Sequence, residues 1–390
     1  MERKIIIAHV GDRIAAVLSE EGKIVEIHYS PQNEPYALGS IYVGKVRQIL
    51  PNINAAFIEI GDKNECYYST EEKYSPIFTS KAGKKPFCVG DELLVQIQKE
   101  AVRTKKPVVT GNLNFTGRYA VLTSGNLTVG VSSKISKPKR EELLAKAESY
   151  GGRGYGFILR TNAADVPWET VAAELEKLEE EYFHIRRIAG TRTCFSCLKE
   201  APKPYISMLR DIYQSGLAEI VAQSGTLYEE TRDFLAKEQP DDLRLLRCYT
   251  DEQYPLSKCY SMEHVTEEAL RERVWLKSGS YLVIQETEAM HVIDVNSGRC
   301  MKKKKEFLAM NLEAAKEAAR QIRLRNLSGI IMIDFINMGT DTEKQELLAY
   351  FQHELNKDRN PGNVIDMTKL QIVEVTRKKV KKTLKESLYE

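Results

Sequence analysis

Two apolar runs in the last third of the chain have the composition of buried β-strands, and an amphipathic segment separates them. The first run leads to Asp294 and the second leads to Asp334, and β-branched residues dominate both. Between the runs, apolar residues recur every three or four positions and predict the buried face of a helix: Leu308, Leu312, Ala315, Ala319 and Ile322. The order strand, helix, strand predicts a βαβ unit whose two strands run parallel.

An aspartate at the end of each predicted strand is the main candidate for chemistry. Parallel strands bring Asp294 and Asp334 to the same, carboxyl-terminal edge of the sheet, where open α/β sheets bind ligands. A charged carboxylate beside a buried strand is costly, and one shared divalent cation would satisfy both. Oxygen ligands without a His or Cys cluster favour Mg²⁺ over Zn²⁺. The alternative is that both aspartates cap strand ends in salt bridges with nearby Arg or Lys, and the spacing alone leaves the two interpretations even.

Polar and basic residues near the first aspartate fit a polyanionic substrate. Asn296 is neutral and suited to orienting a water or a ligand oxygen. Arg299 and the run Lys302 to Lys305 follow directly. The net charge is only +2, so any affinity for nucleic acid has to come from such local clusters. The six histidines are scattered along the chain, which argues against a histidine-based hydrolase.

Length and composition predict a multidomain globular protein. A chain of 390 residues is long enough for two to four domains. A content of 42% hydrophobic and 29% charged residues is ordinary for a soluble protein. No run has the length of a membrane span or the features of a signal peptide. Seven cysteines spread over the chain fit reduced thiols, so we expect a cytoplasmic protein with no membrane partner.

Cys194 and Cys197 form the one close pair of cysteines in the sequence. A structural zinc site needs four ligands, so a lone C-x-x-C pair is weak evidence and we expect no zinc. The alternative is a zinc site shared by two subunits, each of which supplies one pair of cysteines.

Short strands separated by turns fill the first hundred residues, and those between about 39 and 100 are typical of a small OB-type barrel. In one of these strands Ile58 and Ile60 share a face, while Phe57 lies on the other face beside Glu59. An aromatic side chain on a charged face is a candidate base-stacking platform, and a tyrosine of the next strand should join it. The alternative is that Phe57 closes the barrel core.

The remaining segments alternate between helices and strands. Helices are predicted near residues 167–187, 205–214 and 225–237 from their apolar periodicity. Close to the end of the chain, residues 370–376 read as a strand. The basic segment 377–382 follows it, and we predict a helix there whose charges are solvated.

The chain resembles the catalytic half of the ribonuclease E/G family over nearly its whole length. Each matching stretch is modest evidence by itself, but all of them in the right order are specific. The matching stretches are Ile41–Val46, Asn54–Gly61, Arg273–Gly279, Gln285–Met290, Ile293–Arg299, Asn311–Ala315 and Ile333–Ile336.

The resemblance implies an α/β multidomain fold. An RNase H-like subdomain would combine residues 1–35 with residues 210–266, and an inserted S1 barrel, which is an OB-fold, would bind RNA at 36–110. A 5′-sensor for the end of the RNA would occupy 111–209. A DNase I-like α/β catalytic domain would occupy 267–390.

The function implied by the resemblance is endonucleolytic cleavage of single-stranded, often A/U-rich RNA, in RNA processing or decay, to 5′-phosphate and 3′-hydroxyl ends. Asp294 and Asp334 match the aspartates that hold Mg²⁺, with Asn296 in support as a third catalytic residue. Mn²⁺ is the alternative metal. Arg299 and Lys277 are expected to bind RNA and to neutralise charge in the transition state.

The same resemblance implies RNA contacts away from the catalytic pair. A pocket for a 5′-monophosphate would favour substrates that carry one 5′ phosphate, since a guanidinium, a hydroxyl and backbone N–H groups suit that anion. The residues of this pocket are Arg160, Thr161, Gly130 and Val131. Phe57 and Tyr67 match the aromatic positions that hold RNA on the S1 barrel.

Two features depart from the family pattern. The sequence ends at Glu390 without the C-P-x-C zinc link and small domain that build dimers, so we expect no zinc-linked dimer, and homo-oligomerisation stays open. Asn337 stands where the family commonly has Asp, and the lost negative charge is expected to weaken Mg²⁺ binding or shift metal preference.

Two other function classes stay open. One is a non-catalytic single-stranded RNA-binding module, and the other is a metal-dependent DNase, which only fold analogy suggests.

Overall fold

The computed structural model describes residues 2–32, 36–72, 74–101, 105–212, 216–298 and 307–389. Its strands are β1 (Arg3–Val10), β2 (Arg13–Glu20), β3 (Lys23–Pro31), β4 (Ile41–Leu50), β5 (Ala55–Glu59), β6 (Glu65–Ser69), β7 (Phe78–Ser80), β8 (Glu92–Lys99), β9 (Val108–Thr110), β10 (Asn114–Thr116), β11 (Ala120–Thr123), β12 (Val129–Val131), β13 (Gly156–Leu159), β14 (Cys197–Lys199), β15 (Leu217–Gln223), β16 (Leu246–Tyr249), β17 (Arg273–Trp275), β18 (Tyr281–Glu286), β19 (Met290–Asn296), β20 (Gly329–Asp334), β21 (Asn363–Met367) and β22 (Ile372–Arg377). Its helices are α1 (Lys137–Ala147), α2 (Trp168–Ala189), α3 (Pro204–Asp211), α4 (Thr226–Glu238), α5 (Leu256–Cys259), α6 (Met262–Leu270), α7 (Phe307–Leu324), α8 (Asp341–Leu355) and α9 (Leu384–Tyr389).

The chain forms two compact units, and both contain strands and helices. The first unit combines Met1–Asn33 with Pro204–Glu390, and the second is Glu34–Lys203. The first unit contains a five-stranded sheet, in the order β16-β15-β1-β2-β3, and a six-stranded sheet, in the order β17-β18-β19-β20-β22-β21. The second contains a barrel and a four-stranded sheet. The predicted mixed α/β class is confirmed, whereas the five predicted domain ranges stay predictions.

The five-stranded sheet of the first unit joins the start of the chain to residues beyond 210. β1, β2 and β3 form an antiparallel meander, and β15 pairs with β1 in parallel. Successive residues of β1 are buried on opposite faces: Ile5 and Ile7 pack with α3 and α4, while Ile6 packs with α5 and α6. Because both faces are covered, β1 is apolar at consecutive positions and does not alternate.

The predicted βαβ unit is confirmed in the six-stranded sheet. β19 and β20 are parallel neighbours, and α7 lies between them in the chain. Ile293 and Val295 of β19 pack with Ile333 of β20 against Ala315 and other residues of α7. Side chains alternate along a strand, so the polar residues between these apolar ones project from the opposite face.

A closed five-stranded barrel is the main element of the second unit. Its strands follow the order β4-β5-β6-β9-β8, and β8 pairs back with β4 to close the barrel. β6 and β9 are parallel, whereas the other pairs within the barrel are antiparallel. This arrangement is consistent with the predicted OB-fold. Gly44 permits it locally, because a Cβ at that position would collide with the side chain of Ile58.

The four-stranded sheet of the second unit has the order β10-β11-β13-β12, and α1 and α2 pack beside it. Leu175 and Leu178 of α2 share a core with Phe115 and Phe157 of the sheet. The helices predicted at 167–187, 205–214 and 225–237 correspond to α2, α3 and α4.

The helix predicted at residues 377–382 is wrong. Arg377 ends β22 and is buried, and its guanidinium binds the carboxylate of Asp358 and the carbonyl oxygen of Leu327. These tertiary contacts hold the backbone extended where local charge patterning indicated a solvated helix. The helix that does form, α9, begins at Leu384. Within the described residues, every helix is too short or too polar to cross a membrane.

Candidate functional site

The two aspartates predicted to form a site are direct partners on adjacent strands. Asp294 of β19 pairs with Asp334 of β20 in parallel register. Partners in such a register project from the same face, on strands about 4.8 Å apart. Asp294 is half-buried and Asp334 is exposed, so the cost of placing these charges is lower than the apolar runs suggested. The sheet thus presents two carboxylates side by side at one edge.

The electrostatics of the pair show that the two carboxylates interact. Desolvation by the surrounding protein, which acts even on this exposed residue, and the negative charge of Asp294 raise the pKa of Asp334. The side-chain amide of Asn296 donates a hydrogen bond to Oδ2 of Asp294 at 2.6 Å. Asn296 therefore fixes the orientation of one carboxylate, while the other faces solvent.

The salt-bridge alternative finds no support in the described part of the chain. There, neither Asp294 nor Asp334 makes an ion pair with Lys or Arg. The basic residues predicted beside them, Arg299 and Lys302 to Lys305, lie outside the described residues.

The described residues contain no group of three or more His, Cys, Asp or Glu that could hold a metal. The pair itself suits Mg²⁺, which needs only one or two carboxylates and keeps several waters.

A buried asparagine supports the segment that follows Asp334. Asn311 of α7 donates a hydrogen bond from its side-chain amide to the carbonyl oxygen of Ile336 at 2.7 Å. Its own amide oxygen accepts from the backbone N–H of Ile336 at 3.1 Å. Sequence reasoning missed this role. The available signal was a polar residue next to Leu308 and Leu312 on a helix face that is otherwise apolar.

Lys277 lies in the turn between β17 and β18 and is exposed. This turn approaches the end of β19, because a Cβ at Gly298 would collide with the carbonyl oxygen of Gly279. Among the described residues, no hydrogen bond or ion pair joins Lys277 to either aspartate. It lines a cavity of about 520 Å³ with Glu313 and Lys316 of α7.

An aromatic pair lies on the outer surface of the barrel. Phe57 of β5 and Tyr67 of β6 are direct antiparallel partners, and both are half-buried. Their neighbours Ile58 and Tyr68 are buried in the barrel core. Nζ of Lys106 is 4.5 Å from the centroid of the Phe57 ring. Lys106 was not predicted, although it lies in a basic stretch just before β9.

The residues predicted to bind a 5′ phosphate come from two adjacent strands. Gly130 and Val131 of β12 run parallel to β13, which leads to Arg160 and Thr161. The hydroxyl oxygens of Thr161 and Ser132 are 3.1 Å apart. Thr161 therefore lies beside the end of β12, and Ser132, which sequence reasoning missed, brings a second hydroxyl.

Arg160 is held by the loop between β10 and β11, which lies on the other side of β13 from β12. Its Nη1 donates a hydrogen bond to the carbonyl oxygen of Gly117 at 2.6 Å. The loop that follows Gly117 is fixed by Glu174 of α2, whose carboxylate accepts from the backbone N–H groups of Arg118, Tyr119 and Ala120. Burial raises the pKa of Glu174 despite these donors.

The cysteine pair lies in the second unit, where Cys197 begins β14 and pairs with Tyr42 of β4. Both Cys194 and Cys197 are free thiols. Burial raises the pKa of Cys194 to about 11 and also raises that of Cys197. Higher pKa values disfavour the thiolate form that binds metals.

The chain is similar to known ribonucleases along most of its length. A family model described as the Ribonuclease E/G family matches residues 114–380. Ribonuclease E of Nostoc sp. is 34% identical over 390 residues, which cover 97% of this chain and 56% of the relative. Ribonuclease G of Haemophilus influenzae is 32% identical over 393 residues, which cover 96% and 79%. Ribonuclease G of Escherichia coli K12 is 32% identical over 385 residues, which cover 94% and 78%. The chain thus spans little more than half of the matched ribonuclease E proteins and over three quarters of the ribonuclease G proteins.

Proposed function

This chain belongs to the Ribonuclease E/G family, and we propose that it is a Mg²⁺-dependent endoribonuclease. Its substrate would be single-stranded RNA, cut during RNA processing or decay to leave 5′-phosphate and 3′-hydroxyl ends. The observation that supports this proposal best is the register of Asp294 against Asp334, because it sets two carboxylates side by side at a sheet edge. Substrates with one 5′ phosphate would be preferred.

Asp294 and Asp334 would hold the metal ion, and Mn²⁺ could replace Mg²⁺. When bound, the ion would neutralise charge on the scissile phosphate and lower the pKa of an attacking water. Asn296 keeps the Asp294 carboxylate in one orientation through its 2.6 Å hydrogen bond. The raised pKa of Asp334 means that protons should compete with the cation at a higher pH than they would at an ordinary aspartate.

The barrel would hold the single strand by stacking and charge. Phe57 and Tyr67 form a partly exposed aromatic surface on the strands that OB-folds use for nucleic acid. Lys106 adds a cation next to that surface. In the 5′-sensor, Arg160 and the paired hydroxyls of Thr161 and Ser132 are groups that suit a terminal phosphate.

We extend the proposal to the two subdomains of the first unit. The five-stranded sheet combines N-terminal strands with strands between residues 210 and 266, which supports an RNase H-like subdomain of that composition. The six-stranded sheet and its helices lie entirely within residues 267–390, which supports one α/β catalytic domain of the DNase I-like type.

Cleavage of a short A/U-rich RNA tests the catalytic pair. Asp334→Asn should abolish Mg²⁺-dependent cutting while the RNA still binds, since the barrel is unchanged. Asp341→Asn is a matched control, because Asp341 is an exposed aspartate at the start of α8. Near wild-type cleavage by Asp334→Asn would show that the metal-site assignment is wrong. RNA binding without cleavage by the wild-type protein would favour the non-catalytic module.

Comparison of 5′-monophosphate and 5′-hydroxyl ends on the same RNA tests the 5′-sensor separately. The wild-type protein should cut the monophosphate form faster. Thr161→Val removes one hydroxyl from the pair with Ser132 and should reduce this preference. Equal rates for the two ends in the wild-type protein would remove the 5′-sensor from the proposal and leave the nuclease.

A further inference from the structure

An aromatic cluster lies at the free edge of the six-stranded sheet, beside the cavity of about 520 Å³ that Trp275 lines together with Lys277. Trp275 of β17 is 64% exposed, and its ring centroid is 5.0 Å from that of Tyr281 on β18. The guanidinium carbon of Arg273 lies 4.5 Å from the Tyr281 centroid and 5.8 Å from the Trp275 centroid. The cluster is therefore two aromatic rings with a cation over them.

Strand register connects this cluster to the carboxylate pair. Trp275 is the antiparallel partner of Tyr281, and Tyr281 is the partner of Asn296 on β19. Neither ladder contains a register shift, so the three side chains project from one face of the sheet. Asn296 binds Asp294, which in turn is the partner of Asp334. Trp275 is two strands from β19, or about 10 Å.

The sheet itself does not need these rings for its stability. Leu276 and Leu282, which adjoin Trp275 and Tyr281 in the sequence, are buried in the core against α7. The register places Trp275 and Tyr281 on the other face, and Trp275, at the sheet edge, also lines a cavity with Glu317 and Arg320 of α7. Its indole is 64% exposed and therefore gains little from folding. Arg273 makes no ion pair with any residue that the structure describes. An anionic ligand with flat rings would complement all three groups.

We propose that Trp275 and Tyr281, with Arg273, form a base-stacking subsite for the RNA strand beside the point of cleavage. This inference rests on the proposed endoribonuclease function. A base of a nucleotide adjacent to the scissile phosphate, or next but one, stacks on the indole. Arg273 contacts a neighbouring phosphate. Stacking on aromatic rings tolerates any base, so the subsite positions the strand and does not read its sequence.

Cleavage kinetics with a scan of abasic sites provides the first test. One abasic nucleotide is placed in turn at each position around the cut of a 5′-monophosphorylated RNA. In the wild-type protein, kcat/KM should fall about 5- to 100-fold at one position near the cut, as expected for the loss of one stacked base. In Trp275→Ala the intact RNA should already show that loss, and the abasic site should add nothing. Trp275→Phe should retain most of the wild-type rate.

Tyr254→Ala is the matched control, because Tyr254 is 53% exposed and belongs to none of the proposed sites. It should leave the abasic scan unchanged. A Trp275→Ala protein that cuts intact RNA at the wild-type rate, or that still loses activity at the same abasic position, would overturn the subsite. The proposed nuclease function would stand in either case, because cleavage itself is seen.

Tryptophan fluorescence provides a test that does not depend on catalysis. The chain has two tryptophans, Trp168 and Trp275. In an Asp334→Asn, Trp168→Phe protein, Trp275 is the one tryptophan left, and under excitation selective for tryptophan its emission should be quenched by bound RNA. The abasic RNA identified above should quench it less. RNA that binds without changing this emission would overturn the subsite, even if the wild-type protein proves to have no nuclease activity.

Discussion

At the scale of single residues, Phe57 and Lys106 would, in the proposed function, contribute to RNA binding by stacking and by charge respectively. The Phe57 ring offers a flat apolar face, and Lys106 lies 4.5 Å from its centroid. Lys106 also forms an ion pair with Glu65, so part of its charge is already neutralised. The two side chains should therefore contribute to RNA affinity in ways that depend differently on salt.

We predict that Phe57→Ala weakens single-stranded RNA binding about 5- to 100-fold at every salt concentration, since a stacked base is lost. Lys106→Ala should instead reduce the slope of log K against log salt by about 0.7, the value for one phosphate contact on a single strand. Fluorescence anisotropy in the Asp334→Asn background, where cleavage is blocked, measures both effects.

Lys139→Ala is the control for these substitutions, because Lys139 is a partly exposed lysine of α1 that pairs with Glu142. Its salt slope should equal that of the unsubstituted protein. A Lys106→Ala slope that also stays unchanged would show that Lys106 makes no phosphate contact.

At the scale of elements, α7 both covers the core of the six-stranded sheet and holds the segment after Asp334. Periodicity predicted the helix correctly, because apolar residues at every third or fourth position leave few other structures. The two hydrogen bonds between Asn311 and Ile336 could not be predicted in the same way. They depend on how close the helix lies to the end of β20, which the pattern of either element alone does not contain.

We predict that Asn311→Ala destabilises the protein by about 1–3 kcal/mol, because two buried hydrogen bonds to Ile336 are lost together. Cleavage should also slow, since the segment that follows Asp334 is no longer held. Urea unfolding and kcat at saturating RNA measure the two effects. Lys316→Ala, an exposed position on the same helix, should change neither. Full kcat in a destabilised Asn311→Ala protein would show that this anchor serves folding only.

The six-stranded sheet also shows where local patterns mislead. The βαβ order correctly placed both aspartates at one edge, because β19 and β20 run parallel and each aspartate lies near the carboxyl end of its strand. The basic stretch at 377–382 was predicted as a solvated helix, yet Arg377 is buried against Asp358. Charge patterning describes a surface well, but it cannot identify an arginine whose carboxylate partner lies elsewhere in the chain.

At the scale of the molecule, distant parts of the first unit are joined by charges that no local pattern could reveal. Glu26 of β3 accepts a hydrogen bond from Nε of Arg323 on α7 at 2.7 Å. Nη2 of Arg359 binds the same carboxylate at 2.5 Å. Glu26 and Arg323 are 297 residues apart in sequence. The five-stranded sheet is thereby tied to α7, the helix that packs against the sheet carrying Asp294 and Asp334.

The pKa of Glu26 reports the strength of this connection. Burial alone would raise the pKa of Glu26. The charges of Arg359 and Arg323 instead hold this pKa well below its usual range. A carboxyl whose pKa is lowered by folding stabilises the protein above its unfolded value, about 4.3 for Glu. That stabilisation is lost as the pH falls through the lower folded value.

We therefore predict that Glu26→Gln lowers the free energy of unfolding by about 3–5 kcal/mol at pH 7, because two arginines lose their buried partner. The difference from the wild-type protein should shrink as the pH falls below about 4.3, because Glu26 of the unfolded wild-type chain then binds a proton that the folded protein does not, until the folded carboxyl is protonated too. Urea unfolding across this pH range measures the difference. Glu229→Gln, at an exposed ion pair with Arg232, should cost less than about 1 kcal/mol at any pH. If Glu26→Gln matched that control at pH 7, the network would contribute no net stability and would serve only to fix how α7 meets β3.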